Sequence, residues 1–211
     1  MKKYFPIGTI TLFGILVCLV IAVSVLVNRL IPDIPNDLAG VLRPAPRALQ
    51  PIAFKDHKGR LYTLAELEGK WTFLFFGYTY CPDICPTTLT LLTSLVEQLG
   101  QEPGVAEEIQ VVFVSVDPQR DKPEALARYL AYFNDEFVGI TADETKTRAF
   151  ADQFGALFFK EQQTDPENYL MAHASSIYLI GPNAEIIASF SPPHDHNTIA
   201  SQFRKIQKLK S

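Results

Sequence analysis

Apolar and polar positions fall along this chain in blocks whose period changes. Residues 7–27 are an uncharged apolar run, preceded by Lys2 and Lys3 and closed by Asn28 and Arg29. A helix of about 20 residues at about 1.5 Å rise spans roughly 30 Å, the thickness of a bilayer's hydrocarbon core. Residues 71–76 are a short aromatic-rich run, and 109–116 a near-continuous β-branched one. Both predict strands buried on two faces, as in a sheet covered by helices. Gly77 breaks the first run, a short polar loop follows, and an amphipathic segment begins after Pro86, so strand, loop and helix are predicted in that order.

The rest of the pattern completes an alternation of strand and helix. Two short strands flank a turn at 55–60, with His57 at its solvated tip, and a helical turn carries Leu64 and Leu67. Helices are expected over 123–133, with proline in the first turn, over a segment capped by Asp143 and ended by Gly155, and over 198–210. Strands are expected over 137–141, 157–160, 175–180 and 185–190, the last two as a hairpin, with a loop or flap at 161–168. Residues 32–51 hold Pro32, Pro35, Pro44, Pro46 and Pro51 with no sustained period, which reads as a stiff tether. The organisation predicted is a membrane anchor at 1–30, a Pro-rich tether at 31–51 and a domain at 52–211. The fold class is α/β and thioredoxin-like, a mixed central sheet flanked by helices, with an N-terminal transmembrane helix.

Composition narrows the partners. With 47% hydrophobic residues in 211, the chain can bury one sizeable core, and a net charge of −4 gives no basic footprint, so nucleic acid is excluded as a partner. A cleaved signal peptide competes with the anchor, since Ala22, Val23 and Ser24 are small, but its apolar stretch would exceed the usual length. Lysines confined to the extreme N-terminus place that end in the cytoplasm and the domain across the membrane. Cys18 follows Val17 rather than a small residue and is read as a bystander inside the anchor.

The candidate chemistry lies in the loop after the first buried strand. Cys81 and Cys85 stand in a C-x-x-x-C spacing, each followed by proline, where backbone N–H groups at a helix start favour thiolate over thiol. Both cysteines are expected to be more acidic than a free one. Alone the pair fits a structural disulfide, a redox couple or a metal site. His173, where the flap returns to the sheet, adds an imidazole, and two thiolates with one imidazole form a soft set suited to copper. A dedicated redox enzyme more often shows C-x-x-C and has no use for His173. The Thr-x-x-Cys context of a peroxidase is absent, and Met171 is the sole methionine past the initiator, against a methionine-rich copper carrier.

The stretches FFGYTYCPDICPTTL, VFVSVDPQRD and YLMAHASSIYLIGP, in that order, resemble the Sco/SenC family over roughly Pro51 to the C-terminus. The resemblance implies a membrane-anchored, thioredoxin-fold copper metallochaperone holding one copper ion through Cys81, Cys85 and His173. It implies assembly of the CuA centre of cytochrome c oxidase subunit II, from a bacterial inner membrane with the C-terminal domain in the periplasm. The alternative is a thiol–disulfide oxidoreductase that keeps the cysteines of the oxidase subunit reduced, with Cys81 and Cys85 redox-active. A structural disulfide or zinc site is the third reading. The VDP aspartate of the family falls on Asp117, which is either a group behind the ligands or facing a partner, or a turn residue before Pro118. Ala172 stands where many members have an aspartate. His194 and His196 are expected to be solvated, with Asp195 or Asn197 capping the last helix.

Overall fold

The computed structural model describes residues 7–30, 34–161 and 169–210, and within the first helix it describes side chains over 12–26. The chain divides into two units, residues 1–39 and 40–211. The first holds a helix, α1 (Ile7–Leu30), whose described large apolar side chains, Leu12 through Leu26, are exposed. Among the described residues no helix is long and apolar enough to cross a membrane. The span expected over 7–27 extends past the described side chains at both ends.

The second unit is built on β4 (Trp71–Gly77), every residue of which is buried. Parallel to it runs β5 (Ile109–Ser115), and parallel to that β6 (Val138–Thr141). Parallel neighbours need crossovers, and α2 (Ile84–Gly100) and α4 (Pro123–Ala131) supply them, with a short α3 (Val105–Glu108) before β5. On the other side of β4, β9 (Ile177–Gly181) and β10 (Glu185–Phe190) add antiparallel, and β2 (Phe54–Asp56) with β3 (Leu61–Tyr62) closes the far edge. The mixed sheet and its helices make the thioredoxin-like fold.

Alternation along β4 sorts the core into two layers. Phe73 and Phe75 face Phe190, Phe203 and Phe113, under α2, α4 and α6 (His196–Lys210). Leu74 and Phe76 face the other way, where Phe76 meets Phe150 and Phe154 of α5 (Glu144–Phe154) at 6.0 and 5.5 Å. α5 starts and stops as its sequence dictates: Asp143 accepts from Lys146 N at its first turn, and Gly155 ends it at φ 71°.

Two expectations change, and one strand is added. The tether is shorter than 31–51, because Leu42–Ala48 is a strand, β1, paired antiparallel with β10. Its Pro44 and Pro46 are tolerated because β1 is the sheet's edge, with an irregular register between Leu42 and Arg47. The short strand β8 (Met171–His173) has no periodic signal and pairs with β7 (Phe158–Lys160) as a separate ribbon. Finally, His57 is half-buried rather than solvated, and its Nδ1 accepts from Gly139 N at 3.1 Å. The flap expected at 161–168 lies outside the described residues apart from Glu161.

Candidate metal centre

The carboxyl ends of parallel strands are where α/β sheets build sites, and here the end of β4 does so. Gly77 ends the strand because a side chain cannot fit: a Cβ there would stand 2.7 Å from both Cys85 Sγ and Phe113 Cε2. The chain turns through Tyr78–Cys81, closed by Cys81 N donating to the Tyr78 carbonyl at 3.2 Å, and α2 begins at Ile84, two residues before Pro86. Cys85 therefore sits inside the first turn of α2 and is fully buried, while Cys81 lies in the loop, half-exposed. Asp83 at the helix start makes no capping bond with its side chain. The Cys81 sulfur takes that place and accepts from Cys85 N at 3.4 Å.

His173 arrives from the β8 ribbon. Its ring stands edge-on to Phe75 and Tyr78, each at 5.8 Å between centroids, and Nδ1 lies 3.0 Å from the Ala174 carbonyl oxygen. A carbonyl only accepts, so Nδ1 carries the proton and Nε2 turns its lone pair toward the sulfurs, 3.5 Å from Cys85 Sγ and 3.9 Å from Cys81 Sγ. The two sulfurs and an imidazole nitrogen all lie within 4.8 Å of one another. The structure thus brings together the three residues that the sequence placed 4 and 92 positions apart.

The thiols do not share one acidity. The Cys85 thiol donates to the Cys81 sulfur, and with the backbone N–H groups at the start of α2 this holds Cys81 far below the ordinary thiol range. Cys85 is pushed up, first by that same bond and then by burial. The expectation of two acidic cysteines is corrected: the pair keeps one proton, on the buried sulfur.

Asp117 is buried at 2% exposure, and its carboxylate is engaged by Arg120 Nε and by the Tyr169 hydroxyl at 2.7 Å. It is not one of the groups that converge with the sulfurs. The carboxylate that grips the thiol loop is Asp121, which sequence reasoning missed. Asp121 is fully buried and accepts from Thr79 N (3.0 Å), Thr79 Oγ1 (2.6 Å) and Ser115 Oγ (2.7 Å). Burial raises its pKa despite these three donors. Its one signal was position, at the end of the VFVSVDPQRD stretch. Arg120 was missed as well, and its guanidinium lies over the rings of Tyr169 (3.6 Å), Tyr80 (4.6 Å) and Tyr78 (5.7 Å).

Ala172 sits on β8 opposite Phe159, and adjacent strand residues point to opposite faces. The hydrogen bond that fixes the His173 ring is instead the one its Nδ1–H donates to the Ala174 carbonyl. His194 and His196 stay apart from the sulfurs. His194 is half-buried, with Nε2 donating to the Ser175 carbonyl at 2.8 Å, His196 opens α6, and Asp195 caps that helix through Thr198 N.

Comparison with known proteins agrees with this geometry. A profile described as SCO1/SenC matches residues 42–208. The human mitochondrial protein SCO2 homolog is 36% identical over 128 residues, 61% of this chain, and the match spans about half (48%) of that relative's length. Arabidopsis thaliana ScoI, crystallised with copper bound, superposes at TM-score 0.71 with 28% identity, covering 76% of this chain and 98% of that one. Apo Sco1 of Thermus thermophilus superposes at TM-score 0.70 with 32% identity, covering 81% of this chain and 95% of that one. With motif, fold and site in accord over four-fifths of its length, the chain belongs to the SCO1/SenC family.

Proposed function

We propose that this protein carries one copper ion on Cys81, Cys85 and His173 and delivers it during assembly of the CuA centre of cytochrome c oxidase subunit II. The observation that carries the reading is the convergence of two sulfurs and one imidazole nitrogen within 4.8 Å, with the other ring nitrogen tied to a carbonyl. The donor set fits the metal: thiolate and imidazole are soft ligands, and the orientation of the ring is set in advance. Copper-bound ScoI of Arabidopsis supports the choice of metal. Copper is cargo here, so the site must also let go. Cys81, half-exposed, is the ligand from which a partner's sulfur or imidazole can take over.

The same thiols support a second reading, reduction of a partner's disulfide. Cys81 is a thiolate beside a protonated Cys85, which is the arrangement of an attacking and a resolving thiol. The Cys81 thiolate would attack a partner sulfur and form a mixed disulfide. Cys85, losing its proton, would then displace the reduced partner and leave a Cys81–Cys85 disulfide. Two electrons pass to the partner.

His173→Ala separates the two. It removes one of three copper ligands but neither sulfur of the exchange. Copper retention by the reduced full chain against a chelator should fall sharply and oxidase assembly at limiting copper should stop, while exchange with small disulfides continues. Cells that still assemble active oxidase at limiting copper with His173→Ala would replace the copper reading with the reductase one.

For location, we propose single-pass anchoring by α1 in a bacterial inner membrane, with residues 40–211 in the periplasm. The exposed apolar side chains of Leu12 to Leu26 and the lysines at positions 2 and 3 support it. Protease added to spheroplasts should digest the domain and spare cytoplasmic controls. A mature soluble form lacking residues 1–24 would overturn the anchor.

A further inference from the structure

The metal centre has two halves that come from distant parts of the chain. The sulfurs hang from the loop after β4, and the imidazole hangs from β8, which among the described residues pairs only with β7. The sulfur and imidazole contacts at 3.5 and 3.9 Å are too weak to hold the two together without metal. Other contacts set their spacing without metal, among them the Tyr78 ring edge-on to His173 at 5.8 Å.

Arg120 is a second side chain that touches both, through the tyrosines that flank each half. Its guanidinium lies 3.6 Å from the ring centre of Tyr169, four residues before His173, and 4.6 Å from that of Tyr80, which directly precedes Cys81. It also lies 5.7 Å from Tyr78, whose ring flanks His173 itself. Asp117 fixes the guanidinium through Nε and at the same time accepts from the Tyr169 hydroxyl, so cation, carboxylate and ring form a closed triangle at the end of β5. The side chain is only 14% exposed, and Nη2 is buried with no hydrogen-bond partner among the described residues. Leaving a guanidinium donor unmet is unfavourable, and the cation's approach to the Tyr169 and Tyr80 rings is the visible compensation.

We propose that Arg120 is the positioning residue that holds the thiol loop and the imidazole strand in register before copper arrives. The inference deepens the copper reading and rests on it only for its purpose. Planarity is what the role demands. A lysine at 120 can still meet the Asp117 carboxylate, but its ammonium cannot lie flat between Tyr80 and Tyr169.

Arg120→Lys in the reduced, copper-free full chain is therefore the test, because it leaves Asp117 a cation. A second variant, Asp117→Asn with Arg120→Met, removes the buried charges together in case the first fails to fold. Amide exchange in the thiol loop (Thr79, Cys81, Cys85) and in the β8 ribbon (171–174) should rise together by roughly tenfold, while β9 beside them is unchanged. With one equivalent of Cu(II), nitrogen hyperfine structure from the imidazole should weaken in the electron paramagnetic resonance spectrum. Exchange that rises in one segment only, in neither, or equally in β9 overturns the proposal. The exchange is read without metal, so a wild-type chain that takes up no copper would sink the copper reading and leave the result on Arg120 standing.

Discussion

Removing the Asp121 carboxylate tests whether the thiol loop is held by the network described or by packing alone. Asp121→Ala leaves three donors without their acceptor: Thr79 N–H, Thr79 O–H and Ser115 O–H. Thr79 is half-buried and can turn to water, so its two bonds each lose about 1 kcal/mol. Ser115 is fully buried and has no water to turn to, which costs about 1–3 kcal/mol, although its oxygen still accepts from Asp117 N. The expected loss is about 3–5 kcal/mol, or a midpoint lower by about 6–20 °C for a chain of this size. Asp121→Asn keeps the shape and should cost less. It should also change the pH dependence, with a definite sign. Burial holds the folded-state pKa of Asp121 above its unfolded value, so the native state binds that proton more tightly. This stabilisation is complete below the ordinary aspartate range and is lost as pH rises through the raised value. The difference in stability between Asp121→Asn and the parent should therefore move in favour of the variant on going from about pH 4 to neutral. Urea unfolding of the reduced, metal-free protein at several pH values measures both. An alanine variant within about 1 kcal/mol of the parent would refute the claim that this carboxylate organises the loop.

Two further outcomes follow from the same site. Cys81 is held as thiolate, so its alkylation by iodoacetamide should change little between about pH 6 and 8, where an ordinary thiol's rate climbs close to a hundredfold, and Cys85 should stay unlabelled in the native protein. Mass spectrometry showing Cys85 modified first would reverse the assignment of the proton. Gly77→Ala places a Cβ against Cys85 Sγ and Phe113, so it should cost about 1–3 kcal/mol and weaken copper retention through the displaced sulfur. A variant with unchanged melting temperature and unchanged metal retention would show that the approach of Cys85 to β4 is not a constraint.

What the sequence determined by itself was whatever depends on local order. The buried strands β4 and β5 are apolar from end to end because both faces are covered, and such runs are legible without a partner. The cap and stop of α5 at Asp143 and Gly155 are read from single residues, because a side-chain acceptor and a left-handed backbone are local devices. The two cysteines and His173 were legible as a donor set by residue type. Their distances were not, since nothing within a chain says that β8 folds back over the end of β4.

Tertiary structure decided the rest. β1 looked like a tether because Pro44 and Pro46 forbid an interior strand, and only its place at the sheet's edge makes them harmless. Cys81 and Cys85 looked equally acidic because both stand near a helix start. The bond between the two thiols splits them, with the burial of Cys85 adding to it, and both belong to the whole fold. Asp121 and Arg120 carried no signal beyond their place in the VFVSVDPQRD stretch, for the same reason. A carboxylate that holds a loop 42 residues away, and a guanidinium shared by rings from two loops, exist as functional groups only once the sheet has brought those loops together.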